Sequence, residues 1–547
     1  MREMTGGEAV YEALQALGVE HVFGIVSVHN IPIYDVIQQR GGITPISVRH
    51  EQAALHAADG YSRATGKLGV AITSTGPGAA NGMPGLFEAQ FASSRVLMIT
   101  GQIETQYYGK GKGFLHEAEN QPQMLRTLAP HTESIPRTED IAETIVRVAR
   151  QVCTGRPRPG AVEIPIDLQY GRGEVDVPHV EGWPRPKPSR ETLSQASALL
   201  RDSKRTVIWA GGGVINANAA GELTQLAETL NAPVFTSING RGSIPEDHPL
   251  ALGPLANMPN FADVLKNAEV VLAVGTRFQG GATRNWQLEL GGKLIHIDAD
   301  PGAINRNYHA DVAVQGDARL ALAELLKELD SAGNDNGYTA DATSTRDAAR
   351  EQIRGEIGPD YSAIMDAMRD ALPRDANIVR DATVPAYLWG NRLFPIYEPR
   401  TSMNPTSAAI GPGLPLGMGA AVATGKKTAI IQGDGGFMLS IGELATCAQH
   451  NIPVVICVFN DGGYGVLRTV EARTFEGRQF GVDLATPDFA KVAEGMGIHG
   501  EHVSGVDAFR DAFARAVAAD GPVLLDIDMT ALTPMAGLGS PPRKKED

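Results

Sequence analysis

Ile430-Ile431-Gln432-Gly433-Asp434-Gly435-Gly436-Phe437 decides how this chain folds. The apolar start is strand-length, and the glycine-flanked aspartate makes a tight turn at its end. A helix over Ile441–His450 follows, then a strand over Val454–Phe459. The chain then reads Asn460-Asp461-Gly462-Gly463-Tyr464-Gly465. Strand, turn, helix, strand, turn is a parallel crossover unit. Asp434 and Asp461, 27 residues apart, then lie at the carboxyl ends of neighbouring parallel strands. Ligands bind at that edge in open α/β sheets. A Gly-Asp-Gly turn alone is an ordinary turn. Two such turns at this spacing bring two hard oxygen ligands together, enough with a backbone carbonyl and phosphate oxygens to hold Mg²⁺. The glycines let backbone approach those phosphates closely.

The same pattern repeats outward from this unit. Val22–Val26, Gly69–Thr73, Val96–Thr100 and Val162–Ile164 read as buried strands, with helices over Glu51–Thr65 and Glu139–Cys153 between them. A second block carries strands at Val207–Ala210, Val234–Thr236, Val270–Val274 and Leu294–Asp298; a third runs from Tyr361 to Met529. Gly171–Arg190, with four prolines, and Ser331–Thr345, rich in Gly, Asn, Asp, Ser and Thr, read as linkers. The fold class is therefore α/β, with three doubly wound parallel-sheet domains. Gly76-Pro77-Gly78 and Gly411-Pro412-Gly413 each precede a small-residue helix start, a faint internal echo between the first and third blocks.

Composition narrows the function classes. The 547 residues carry 48 basic and 63 acidic side chains, net charge −15, a surface that repels phosphate backbones and excludes a general nucleic-acid binder. No apolar run approaches the roughly 18 residues of a membrane span. Met1–Val10 has no basic start followed by an apolar core, so no secretion signal is expected. Cys153, Cys447 and Cys457 form no Cys-x-x-Cys pair and no disulfide framework, which fits a reducing cytoplasm.

With both aspartate turns in place, the chain resembles the thiamine-diphosphate-dependent enzymes of the acetolactate synthase, benzoylformate decarboxylase and benzaldehyde lyase group. The resemblance covers nearly the whole chain. It implies a pyrimidine-binding domain over 1–175, a middle domain over 190–335, a diphosphate-binding domain over 355–530 and a C-terminal tail over 531–547. It implies thiamine diphosphate and Mg²⁺, with Asp434, Asp461 and the carbonyl of Gly463 as metal ligands. The family's usual second ligand is Asn, so Asp461 adds a negative charge beside the diphosphate. Gly435, Gly436, Tyr464 and Gly465 would line the diphosphate, and Thr383 would bond it from the other side. Val48-Arg49-His50-Glu51-Gln52-Ala53-Ala54 is similar to the segment whose glutamate activates the cofactor's aminopyrimidine, which gives Glu51 that role. Ser407-Ala408-Ala409-Ile410-Gly411-Pro412-Gly413 matches the segment that bends the cofactor, with Ile410 as the wedge and the Ala408 carbonyl accepting from the 4′-amino group. Active sites between subunits of a homodimer or homotetramer are implied as well.

The substrate side is less settled. His29 follows the first strand, where benzaldehyde lyase carries a histidine facing the cofactor and acetolactate synthases carry small residues. His116, in Phe114-Leu115-His116-Glu117, replaces the glutamine of the synthases. Either imidazole suits a proton shuttle. Leu467 stands where pyruvate decarboxylases have glutamate, and Val470 where acetolactate synthases have tryptophan. The expected activity is a lyase, decarboxylase or carboligase acting on a 2-oxo acid or 2-hydroxy ketone (acyloin). A 2-hydroxyacyl-coenzyme A lyase or oxalyl-coenzyme A decarboxylase-like enzyme on acyl-coenzyme A substrates, an acetolactate synthase-like transferase, and a catalytically silent regulatory subunit remain as alternatives. Ala210-Gly211-Gly212-Gly213-Val214 is compatible with an FAD or nucleotide site, but a lone Gly-rich turn does not favour one.

Overall fold

Three short-strand blocks form three separate sheets, each of six parallel strands with helices on both faces. The computed structural model describes residues 1–329 and 333–536. In the first domain the strand order is Thr44–Ser47, His21–Gly24, Gly69–Thr73, Val96–Gln102, Gly160–Pro165, His131–Ser134. In the third it is Ser402–Met403, Asn377–Arg380, Thr428–Gly433, Val454–Asn460, Val523–Asp528, His499–Val503. Numbered within each domain, both sheets run 2-1-3-4-6-5. The middle sheet runs 3-2-1-4-5-6, the order of dinucleotide-binding folds. The central strands are buried along their whole length, as expected when helices cover both faces.

The internal repeat is therefore real, but the two Gly-Pro-Gly turns do not carry it. Gly76–Gly78 follows the third strand of its domain, whereas Gly411–Gly413 precedes the third strand of its own. The counterpart of Gly76–Gly78 is the Gly433–Gly436 turn. The counterpart of the helix Gly413–Thr424 is the helix Glu51–Thr65, and these two pack directly on each other. An added Cβ at Gly60 would overlap the Leu416 carbonyl oxygen, and one at Gly419 would overlap that of Ala57. The two backbones thus meet without side chains between them.

Several sequence expectations need correction. Ser331–Thr345 is not a linker throughout: a helix starts at Asn336 and runs to Ala371, interrupted at Gly358 (φ 79°). Its first Asn, Asp and Gly residues resemble loop because they cap the helix; Asp335 accepts from Gly337 N–H, and Tyr338 and Ala342 are buried against the middle domain. Gly171–Arg190 begins with a strand, Arg172–Val175, paired antiparallel with Arg2–Thr5. The strand expected to reach Val26 ends at Gly24, and Val26 is exposed. The helix Ile441–His450 divides into a 3₁₀ turn, Ile441–Glu443, and an α-helix, Leu444–Gln449. The basic Arg543-Lys544-Lys545 segment lies outside the described residues. Among the described residues no helix is long and apolar enough to cross a membrane.

One buried group gives the first domain a pH signature. His56, inside the helix Glu51–Thr65, has no partner on either ring nitrogen, and burial pushes it down to about 4. The unfolded chain takes up that proton near pH 6.5 while the folded chain refuses it. Stability is therefore full above pH 6.5 and falls between 6.5 and 4, by on the order of 3 kcal/mol. Denaturant midpoints measured across that range should show this slope, and His56→Leu should flatten it.

Candidate active site

The parallel pairing of Thr428–Gly433 with Val454–Asn460 sets Gly433 opposite Phe459, so both aspartate turns leave the sheet side by side. Asp434 opens a helical turn, Asp434–Phe437, and is buried. Its Oδ2 has no hydrogen-bond partner. Burial, and then the charge of Asp461, push its carboxyl up, while the backbone N–H groups of Asp461, Gly435 and Gly463 work the other way. A buried carboxylate with an orphaned oxygen, beside a second that is half-buried, wants a cation. The Gly463 carbonyl oxygen also faces this turn, 3.3 Å from where a Cβ on Gly435 would stand. That set fits a divalent ion with two carboxylates and one backbone carbonyl. Among the described residues no group of three or more His, Cys, Asp or Glu side chains is placed to hold a metal, so an ion here would rest on two carboxylates and the carbonyl.

Asp461 does not leave its charge uncompensated. Arg468, buried on the next helix turn, places Nη1 3.2 Å from Asp461 Oδ2 and Nε 3.1 Å from Asp483 Oδ1. The negative charge that Asp adds in place of Asn is thus met by a neighbouring cation. Gly465 is required here, because a Cβ would overlap Asp461 Oδ2. A side chain at Gly435 would come within 2.6 Å of the Tyr464 ring.

Glu51 is half-buried at the start of its helix. Asn81 Nδ2 donates to its Oε2 at 3.0 Å, and Gly78 leaves room for Oε1, which would be 3.0 Å from a Cβ there. The helix start is docked on the third domain. Buried Glu443 accepts from Arg49 N–H (3.0 Å) and His50 N–H (3.1 Å). His29 and His116, 87 positions apart in the chain, face each other with ring centroids 5.1 Å apart. Burial first, then His116, lowers the His29 pKa, so its imidazole is neutral at pH 7. His116 adopts φ 63°, and its carbonyl lies against Gly76. Leu467 and Val470 are exposed on the helix Gly465–Thr474, away from the core.

Comparison with known proteins matches this arrangement in chain order. Residues 4–124 match the N-terminal TPP binding domain of thiamine pyrophosphate enzymes, 193–325 their central domain, and 385–527 their C-terminal TPP binding domain. The chain is 33% identical to a probable acetolactate synthase large subunit of Methanocaldococcus jannaschii, over 96% of this chain and 92% of the relative. This chain belongs to the thiamine pyrophosphate enzyme family. It is also 32% identical to a probable 2-ketoarginine decarboxylase of Pseudomonas aeruginosa (96% and 94% covered). An acetolactate synthase of Mycobacterium bovis is 31% identical (99% and 91% covered).

Within that family frame, three residues that the sequence did not single out hold the segment Asn404–Gly413. Asp381, buried, accepts from Gly411 N–H (2.9 Å) and Gln432 Nε2 (2.6 Å), and burial pushes its carboxyl up to about 6. Glu88, from the first domain, accepts from Thr406 N–H (2.6 Å), Ser407 N–H (3.0 Å) and Ser407 O–H (2.5 Å). Arg63 joins Glu88 and Asp59, both at 2.6 Å, and donates to the Asn404 carbonyl at 2.7 Å. These bonds set Ala408 at φ 63° and Ile410 beside Gly436, half exposed. Thr383 faces Gly433, its Oγ1 2.7 Å from a Cβ built there. A lone acid on a helix gives no sequence signal for such a role. Only its burial and its donors do.

Proposed function

We propose that this family member is a thiamine-diphosphate- and Mg²⁺-dependent lyase that cleaves or forms a carbon–carbon bond beside the carbonyl of a 2-oxo acid or 2-hydroxy ketone. The His29–His116 pair is the observation that carries this reading. Bound thiamine diphosphate supplies the nucleophilic carbon and the electron sink. The chain supplies the rest. Asp434, Asp461 and the Gly463 carbonyl would hold the ion; Gly435, Gly436, Tyr464, Gly465 and Thr383 would shape the diphosphate's seat. Ile410 and the Ala408 carbonyl would lie against the cofactor, and Glu51 would hold a proton at its pyrimidine. His29 and His116 give and take the proton at the substrate carbon.

A relative named 2-ketoarginine decarboxylase supports decarboxylation. Relatives named acetolactate synthase support the transferase alternative, but a paired imidazole is not what the resemblance implies for synthases. Acyl-coenzyme A substrates have no observation in their favour among the described residues, and Glu51 and Asp434 argue against a silent subunit. A homodimer or homotetramer with sites between subunits is supported by apolar side chains exposed around both half-sites, Val26, Val28 and Leu115 on one and Ile410, Leu439 and Leu467 on the other. We place the enzyme in the cytoplasm, with small-molecule substrates and neither nucleic acid nor membrane as partner. Gly212 and Gly213 do border a cavity of about 320 Å³ with Arg95, Arg156 and Arg277, but no observation selects FAD.

The test is a screen of 2-oxo acids, 2-ketoarginine and pyruvate among them, with acyloins and acyl-coenzyme A esters, products identified by mass. Carbon dioxide plus an aldehyde, or an acyloin, supports the reading; acetolactate alone supports the synthase; no product from any substrate sinks both. On the substrate found, His29→Ala and His116→Ala should each lower turnover by roughly 10²- to 10⁴-fold. Cofactor affinity should stay within a few-fold, and the losses need not multiply.

A further inference from the structure

Glu163 lies in the strand Gly160–Pro165, fully buried, and has no part in the chemistry above. Four neutral side-chain donors converge on it. Tyr108 O–H and Ser134 O–H reach Oε1 at 3.0 Å each. Gln102 Nε2 reaches Oε2 at 3.0 Å, and Gln121 Nε2 reaches it at 2.7 Å. Burial raises its carboxyl. A buried acid with donors but no cation is costly to keep, so its polarity matters.

That polarity dictates the orientation of Gln121. A carboxylate only accepts, so Gln121 turns its NH₂ to Glu163 and its carbonyl oxygen the other way. Gln121 Oε1 then accepts from Gly76 N–H at 2.7 Å and Thr75 O–H at 3.0 Å. The turn so held carries Gly78, which backs the Glu51 carboxylate, and Gly76, which abuts the His116 carbonyl. The second arm runs through Tyr108, which ties the loop 103–120 that contains His116 to the same carboxylate. The third runs through Gly101, whose carbonyl accepts Gln121 Nε2 at 3.0 Å and whose Cα leaves no room beside His29.

We propose that Glu163 is a positioning residue, which fixes the amide orientation of Gln121 and thereby places Glu51, His29 and His116 together. The proposal rests on the roles given to those three residues above.

Three variants test it: Glu163→Gln, Gln121→Leu, and the exchange Glu163→Gln with Gln121→Glu. In Glu163→Gln one acceptor oxygen becomes NH₂, which either faces the NH₂ groups of Gln102 and Gln121 or makes Tyr108 and Ser134 its acceptors, so the donor pattern that fixes Gln121 and the loop 103–120 is broken on one side. In protein loaded with thiamine diphosphate and Mg²⁺, exchange of the cofactor C2 hydrogen should fall roughly 10²-fold, the usual result of an ångström-scale misplacement. Gln121→Leu should do the same, and the exchange variant should recover at least about tenfold by restoring donor to acceptor between positions 163 and 121 and keeping the acceptor for Gly76 N–H, although the Gly101 carbonyl loses its donor. Cofactor affinity by calorimetry should stay within a few-fold in all three. In cofactor-free protein with ¹³C-labelled histidine, the ring signals of His29 and His116 should move in Glu163→Gln and return in the exchange variant. A lowered unfolding midpoint with wild-type C2 exchange and unmoved histidine signals would reduce Glu163 to a structural residue and overturn the proposal. If Glu163→Gln does not fold, wild-type exchange in Gln121→Leu overturns it equally. Wild-type protein that fails to exchange C2 overturns the cofactor-site reading instead, and the histidine signals still judge Glu163.

Discussion

Asp434→Ala should abolish measurable binding of thiamine diphosphate in Mg²⁺, weakening it by more than about 10²-fold in calorimetry. Asp434 is the buried carboxylate whose Oδ2 has no hydrogen-bond partner. The fold should survive, because removing one of two mutually repelling carboxylates relieves the site. Asp461→Asn should behave oppositely. The amide keeps the ligand oxygen, and Arg468 keeps Asp483 as a partner, so affinity should stay within a few-fold. Unchanged cofactor affinity in Asp434→Ala would place the metal elsewhere.

Glu51→Gln should bind the cofactor and keep its unfolding midpoint, yet lower exchange of the C2 hydrogen for deuterium by roughly 10²- to 10⁴-fold. The amide oxygen introduced by that substitution would still accept from Asn81 Nδ2, so the helix start and its dock on Glu443 remain. What is lost is a group able to hold a proton. Nuclear magnetic resonance of the quenched cofactor reads this directly, and wild-type exchange in the variant would falsify the role given to Glu51.

How much of this was legible in the sequence follows from which residues carry local signals. Asp434 and Asp461 stood out because glycines flank them and because a strand-length apolar run precedes each. Strands such as Gly69–Thr73 and Val270–Val274, and the helix Glu51–Thr65, match residue for residue, since burial on both sheet faces leaves an unbroken apolar pattern. The helix from Asn336 was missed because its exposed face is built of loop-like residues. Arg468, Asp381, Glu88 and Glu163 were invisible for another reason. Each acts through partners 7 to 319 positions away, and only folding brings donor and acceptor together.

The glycine contact between the helices Glu51–Thr65 and Gly413–Thr424 limits how this enzyme can move. Where main chain rests on main chain, no side chain is present to change rotamer and take up sliding. The first and third domains should therefore move together. Any movement over the site should then fall to segments outside this contact, 103–120 around His116 and 461–483 around Arg468, the second of which contains the helix Gly465–Thr474. Turnover limited by product release should then respond to the stiffness of those two segments and not to any hinge between domains.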